Sequence, residues 1–133
     1  FAHLGLPWDA PEDDVAEAQK LWGNRLNATV LATGTLRREA AFVPDLPGFA
    51  DGAWFPQDAA AAVPALALLS ALKTQGVDLS ETHVLDMCAA PGGKTSQLLG
   101  TGVGKVTSVE IEKRRATKIQ ENLQRLGLTE RHK

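Results

Sequence analysis

The feature that most constrains the fold is the segment 84–95, which reads VLDMCAAPGGKT. It begins as a short apolar run typical of a buried strand, breaks at Pro91 and the Gly92–Gly93 pair, and continues with the spacing of a helix. This order predicts a strand, a tight turn and a helix N-terminus. Because glycine lacks Cβ and tolerates positive φ, a ligand can approach such a turn closely. The unpaired N–H groups that open the helix favour an anionic group there.

A second strand is predicted at 105–109, and it leads directly into Glu110. In a nucleotide-binding βαβ unit, an acid roughly 20 residues beyond the glycines accepts hydrogen bonds from ribose hydroxyls, and Glu110 stands near that distance from Gly93. A strand, a helix and a strand in this order favour an α/β fold with a parallel sheet. The glycine turn and Glu110 together therefore indicate a site for a small, charged, nucleoside-type cofactor.

Two phosphate-binding motifs share parts of this segment, but neither fits it. Gly93-Lys94-Thr95 matches the end of a P-loop, whereas Cys88 stands where the first glycine of a P-loop would be. The dinucleotide fingerprint Gly-x-Gly-x-x-Gly is absent as well. An NAD-type or other nucleotide-binding enzyme stays an alternative, because it would also use a glycine turn and an acid.

The run 85–95 resembles motif I of the RsmB/Sun/Nop family of RNA (cytosine-5)-methyltransferases, which use S-adenosylmethionine. The resemblance continues upstream at 46–49 and 52–60, which are similar to the approach to the catalytic domain in bacterial members. Downstream it continues at 109–110 and 121–128, which are similar to the second strand and helix of that domain. The similarity covers most of the chain.

The resemblance implies an enzyme that transfers a methyl group from S-adenosylmethionine to carbon 5 of cytosine in RNA, with small-subunit ribosomal RNA as the substrate. It implies a Rossmann-like class I methyltransferase fold, here with an incomplete parallel sheet, preceded by a small α+β segment. Residues 1–45 would be the end of an N-terminal RNA-binding region, and residues 46–133 the first part of the methyltransferase domain. A non-catalytic cofactor-binding or RNA-binding module with the same fold stays an alternative.

The resemblance also assigns the cofactor site. The backbone of 88–94 would wrap the methionine part of the cofactor, and Glu110 would bind the ribose. Lys94 either pairs with the carboxylate of the cofactor or is a solvated lysine. Asp86 either supports the cofactor site, by accepting hydrogen bonds from backbone N–H groups of the glycine loop, or contributes only to the stability of the fold. The implied cofactor-binding residues are Cys88, Ala89, Ala90, Pro91, Gly92, Gly93, Lys94 and Glu110.

Cys88 is the single cysteine of the chain and has the side chain of a catalytic nucleophile. Methylation of carbon 5 of cytosine requires a thiolate to add to carbon 6, so that carbon 5 becomes nucleophilic. The resemblance places that thiolate in a Thr-Cys-Ser segment, which follows a supporting Asp-Ala-Pro-Cys segment, and both would lie beyond Lys133. Cys88 is therefore expected to be a small buried residue near the cofactor. No catalytic residue is assigned, and the chain alone is expected not to catalyse methyl transfer.

Composition limits the classes of function that remain possible. The 133 residues have a net charge of −2, with 44% hydrophobic and 23% charged residues, which is typical of a soluble globular protein. A pI near 5.9 gives no global basic signature for nucleic acid, so an RNA-binding surface would have to be local. A lone cysteine, the lack of a signal peptide and the lack of a membrane-length apolar run predict a soluble cytoplasmic protein. No metal is expected, and the sequence carries no signal for an oligomeric state.

The N-terminal part is predicted to begin with an amphipathic helix at about 9–22, with Asp9 as its cap and Gly23–Asn24 as its end. Short extended runs are predicted over 27–43. Arg37–Arg38 in that stretch is either a solvated strand edge or a phosphate contact.

The C-terminal part is predicted to contain two more helices besides the one after the glycine turn. One is alanine-rich, capped by Asp58 and kinked or restarted at Pro64. The other is amphipathic over 112–126 and stops at Gly127. The glycine-rich stretch 100–104 is predicted to be a flexible turn rather than a ligand site.

Overall fold

The computed structural model describes residues 10–31 and 34–133. The chain forms two compact units, Phe1–Pro56 and Gln57–Lys133. The division of function after residue 45, into an RNA-binding region and a methyltransferase domain, stays a prediction.

Helix α1 of the first unit spans Glu12–Leu26, and the predicted cap Asp9 lies outside the described residues. Its first turn is acidic, which suits the positive end of the helix dipole. The predicted end at Gly23–Asn24 is wrong, because the helix continues to Leu26 and closes at Asn27, whose left-handed φ of 48° forms the C-cap. The additional turn carries Leu26 into the core of the unit, which favours the longer helix.

The strands of the first unit pair as an antiparallel hairpin of β1 (Thr29–Val30) and β2 (Leu36–Arg37). The extended stretch predicted up to residue 43 ends earlier, because Val43–Asp45 forms a 3₁₀ turn with Pro44 near its start. Proline suits that position, since its fixed φ is compatible with a helical turn. The buried core cluster of this unit consists of Trp22, Leu26 and Trp54.

Helix α2 opens the second unit and spans Ala59–Thr74. Its predicted cap is confirmed, because the carboxylate of Asp58 accepts a hydrogen bond from the N–H of Ala60 at 2.7 Å. Pro64 lies inside this one helix rather than at a restart. Proline has no N–H to donate, so the helix loses one hydrogen bond there and continues.

A parallel pair of strands forms the centre of the second unit. Strand β3 spans His83–Asp86 and strand β4 spans Lys105–Ser108. Helix α3 (Gly93–Gly100) connects the two strands, and helix α4 (Lys113–Arg125) follows β4. The predicted strand–turn–helix–strand order and the parallel pairing are confirmed, but the prediction that the first strand is buried is wrong, because Leu85 is 56% exposed.

The backbone of Arg131–Lys133 adds a third parallel segment beside β4. Val106 donates its N–H to the carbonyl of Arg131 at 2.9 Å, and its carbonyl accepts the N–H of Lys133 at 3.0 Å. Strand β4 therefore has parallel neighbours at both edges, as an inner strand of a doubly wound sheet does.

The glycine-rich stretch 100–104 is tightly packed, so the prediction of a flexible turn is wrong. Val103 is fully buried, and the N–H of Gly104 donates to the carbonyl of Leu79 at 2.8 Å. A Cβ built on Gly104 would overlap the carbonyl oxygen of Ser80. Glycine is present there because two backbone segments approach each other too closely for a side chain.

Candidate functional site

The predicted glycine turn lies between β3 and α3. Gly92 is the N-cap of α3 and has a φ of 102°, a conformation that residues with a Cβ rarely adopt. Its N–H donates to the carbonyl of Ala89 at 2.6 Å, and its own carbonyl accepts the N–H of Ser96 at 2.8 Å. The N–H groups of Gly93 and Lys94 open the helix and so have no acceptor within it. The turn is therefore tight and presents backbone donors.

A buried carboxylate ties this turn to the neighbouring strand. Asp86, at the end of β3, is 6% exposed and accepts a hydrogen bond from the hydroxyl of Thr95 at 2.8 Å. Because Thr95 has a single hydroxyl proton, Ser108 is the donor in their 2.9 Å contact. The second oxygen of Asp86 accepts the N–H of Cys88 at 3.4 Å. These contacts support the interpretation of Asp86 as a brace for the glycine loop.

One face of helix α4 contacts the turn, a feature not predicted from the sequence. The side-chain amide of Asn122 donates to the carbonyl of Pro91 at 2.9 Å, and Nη2 of Arg115 donates to the carbonyl of Ala90 at 3.3 Å. Ile119 lies between them on the helix, 3.4 Å from the position that a Cβ on Gly92 would occupy. The i, i+4, i+7 spacing of the three helix residues is the sequence signal that places them on one face.

Glu110 lies beside the turn, two residues after the end of β4. The N–H of Ala89 in the turn donates to the carbonyl of Val109 at 3.4 Å. Oε1 of Glu110 accepts the backbone N–H of Glu112 at 3.1 Å, while Oε2 lies 3.7 Å from Nη1 of Arg115, which is longer than a hydrogen bond. The turn and Glu110 therefore share one edge of the sheet, at the carboxyl ends of two parallel strands.

Three side chains at this edge differ in exposure. Cys88 is exposed, so the prediction that it is buried is wrong; the strand ends at Asp86, and the residues of the turn no longer follow its alternation. Lys94 is half-buried in the first turn of α3. Ile111, which follows the acid and was not singled out from the sequence, is fully exposed.

Gln57, which directly precedes the cap Asp58, is a further residue near the turn and was not among the predicted cofactor-binding residues. Its side-chain nitrogen donates to the side-chain oxygen of Gln97 at 3.0 Å, and Gln97 donates to the carbonyl of Ala62 at 3.2 Å. The side chain of Gln57 lies 3.6 Å from the Cβ position of Gly93. The paired amides thus connect the start of α2 to α3 close to the glycines.

Over residues 10–31 and 34–133, no cluster of His, Cys, Asp and Glu side chains is arranged to hold a metal ion. No helix in the same part of the chain has the length and apolar character needed to cross a membrane. The edge of the sheet offers a ligand backbone N–H groups, a carboxylate and a half-buried lysine.

Comparison with known protein sequences identifies similar proteins. The family model described as 16S rRNA methyltransferase RsmB/F matches residues 72–132. The ribosomal RNA small subunit methyltransferase B of Serratia proteamaculans is 44% identical over 92 residues, which are 65% of this chain and 18% of that protein. The protein of the same name from Pseudomonas putida is 41% identical over 97 residues, which are 71% of this chain and 20% of that protein. The chain spans about a fifth of the length of these curated relatives.

Two solved structures resemble the chain. The crystal structure of NSun6 from Pyrococcus horikoshii with SFG is 27% identical with a TM-score of 0.55, and the match covers 71% of this chain and 23% of that one. The crystal structure of PH0851 is 22% identical with a TM-score of 0.67, covers 95% of this chain and 27% of that one, and shows the fold alone. With the parallel sheet, these matches confirm the predicted Rossmann-like class I methyltransferase fold. On the family and sequence matches, the chain belongs to the RsmB/Sun family of methyltransferases.

Proposed function

We propose that this chain provides the cofactor-binding part of an S-adenosylmethionine-dependent RNA (cytosine-5)-methyltransferase that modifies small-subunit ribosomal RNA in the cytoplasm. The observation that carries the proposal is that the glycine turn and Glu110 share one edge of a parallel sheet. Membership of the family supports methyl transfer, and the names of the relatives support ribosomal RNA as the substrate. The assignment of carbon 5 of cytosine as the methyl acceptor rests on the resemblance of the motif.

The glycine turn suits the methionine part of S-adenosylmethionine, which carries a carboxylate. The N–H groups of Gly93 and Lys94 and the positive end of α3 favour a negative group at this place. The ammonium group of Lys94 adds a positive charge on the same helical turn. NSun6, a structural relative, was crystallised with SFG, an analogue of S-adenosylmethionine, which supports the same cofactor here.

The end of β4 suits the ribose and the base. Oε2 of Glu110, whose side chain is 5% exposed, is 3.7 Å from its nearest cationic nitrogen, in Arg115, so this oxygen retains lone pairs that can accept from ribose hydroxyls. The exposed side chain of Ile111, next to Glu110, offers an apolar surface to a base. When bound, the cofactor would supply an electrophilic methyl group on its sulfonium.

In this proposal the residues of the chain hold the cofactor and do not react. The turn is fixed on one side by the hydrogen bond between Thr95 and Asp86 and on the other by Asn122. A turn held in this way requires little reorganisation when a ligand binds. We assign the thiolate that adds to cytosine to another part of the protein rather than to Cys88, as the motif resemblance implies.

For the first unit we propose a part in RNA binding, in line with the predicted division after residue 45. Arg37 and Arg38 are exposed at the end of β2 and directly after it. Contacts from arginine to phosphate position an RNA without reading its sequence. With a net charge of −2 on the whole chain, such contacts would be local.

The test is methyl transfer by the gene product at its natural length. The protein is incubated with methyl-labelled S-adenosylmethionine and unmodified small-subunit ribosomal RNA, and the RNA is digested to nucleosides for mass spectrometry. We expect the label in 5-methylcytidine. Label in a different nucleoside would rule out the cytosine assignment. Calorimetry that shows binding of NAD and none of S-adenosylmethionine would rule out the cofactor assignment.

A further inference from the structure

Arg115 contacts both halves of the proposed cofactor site. Its Nη2 donates to the carbonyl of Ala90 in the turn at 3.3 Å, and its Nη1 lies 3.7 Å from Oε2 of Glu110. We propose that Arg115 is a positioning residue that sets the separation between the glycine turn and Glu110. It thereby sets the distance between the groups that bind the methionine part and the ribose of the cofactor. This inference rests on the function proposed above and adds a residue to it.

The guanidinium group suits this role because of its shape. Its N–H groups are fixed in one plane, so a single group can hold two acceptors at a defined separation. A lysine ammonium is a point charge on a flexible stem and would not hold both acceptors in the same geometry. Helix α4 carries the guanidinium, and the 2.9 Å hydrogen bond from Asn122 to the carbonyl of Pro91 fixes the helix against the same turn.

The exposure of Arg115 and the length of its contact with Glu110 limit what the pair contributes to folding stability. The side chain of Arg115 is 56% exposed while that of Glu110 is 5% exposed, and an ion pair with one partner in contact with solvent contributes less to folding than a fully buried pair does. The distance to Glu110 is longer than a hydrogen bond, and contacts of this kind often shorten when a ligand binds. The proposed role therefore predicts that replacing Arg115 weakens cofactor binding without a comparable loss of stability.

The test measures binding of S-adenosylhomocysteine by isothermal titration calorimetry, together with thermal unfolding, in the gene product at its natural length. Arg115→Met removes both contacts and is expected to weaken binding about tenfold, as for the loss of a hydrogen bond with a charged partner. Arg115→Lys keeps the charge and is expected to restore only part of the affinity. Arg114→Met removes the same charge from the neighbouring, exposed position and is expected to bind as the unmodified protein does.

A double variant shows whether Arg115 acts through Glu110. If it does, Arg115→Met reduces affinity less in a Glu110→Gln protein than in the unmodified one. The proposal is overturned by unchanged affinity in Arg115→Met, by full recovery in Arg115→Lys, or by an undiminished effect in the Glu110→Gln protein. It is also overturned if the affinity falls only in step with the melting temperature. If the unmodified protein does not bind S-adenosylhomocysteine, the proposed function itself fails, so the two failures can be told apart.

Discussion

Thr95 donates its hydroxyl proton to Asp86 across 2.8 Å, and both side chains are buried in the second unit. The hydrogen bond joins the end of β3 to the first turn of α3, and the glycine turn lies between these two fixed points. The shape of the candidate site therefore depends on a buried polar contact as well as on the glycines.

Replacing Thr95 with valine keeps the volume of the side chain and removes this donor. Because Asp86 would remain buried with one hydrogen bond fewer, we expect the free energy of unfolding to fall by about 1–3 kcal/mol. Urea denaturation measures the change. Thr117→Val is the matched control, because the hydroxyl of Thr117 bonds to the carbonyl of Lys113 at an exposed position on α4. If both variants unfold alike, the carboxylate of Asp86 does not depend on Thr95.

Gly92→Val is expected to abolish cofactor binding. The φ of 102° at Gly92 is strained for a β-branched residue, and a Cβ there would lie 3.4 Å from Ile119. Gly76→Val is the matched control, because Gly76 also has a positive φ of 68° while a Cβ there meets nothing within 4 Å. Calorimetry with S-adenosylhomocysteine should detect binding by the control variant only. Equal binding by both variants would show that the turn is not part of the cofactor site.

Gly104→Ala tests the close packing of the turn 100–104. A Cβ at Gly104 would overlap the carbonyl oxygen of Ser80, so the backbone must move and strain its hydrogen bond to Leu79. We expect this variant to lose about 1–3 kcal/mol more of the free energy of unfolding than Gly76→Ala does, as for other overpacked sites. Urea denaturation of the two variants makes the comparison. Coincident unfolding curves would show that the turn has room for a side chain.

Cys88→Ala is expected to keep measurable methyl transfer. The thiol is exposed, and the contact of Cys88 with Asp86 is made by its backbone N–H, which alanine retains. Methyl incorporation into RNA by the gene product at its natural length measures the effect. Complete loss of activity with cofactor binding intact would instead identify Cys88 as the nucleophile.

The elements that the sequence predicts well are those that depend on neighbouring residues. The strand, turn and helix over 84–95 follow from an apolar run, a proline and two glycines that are adjacent in the chain. The start of α2 follows in the same way from Asp58 before an alanine-rich run. No distant contact is needed to specify either element.

Several wrong or missing predictions involve residues far apart in the sequence. Helix α1 continues past its predicted end because Leu26 packs with Trp54 in the core of its unit. Arg115 and Asn122 contact carbonyl groups 25 and 31 residues away. Periodicity shows which face of a helix is apolar, but it does not show which polar side chains on that helix reach a neighbouring loop. The support of the glycine turn by α4 could therefore be found only in the structure.

The central claim is that the glycine turn and Glu110 hold a single nucleoside cofactor. The most direct measurement is a crystal structure of the gene product at its natural length with S-adenosylhomocysteine. We predict the carboxylate of the ligand at the N–H groups of Gly93 and Lys94 and its ribose hydroxyls on Glu110. A ligand bound at another place, or one whose ribose makes no contact with Glu110, would contradict the claim.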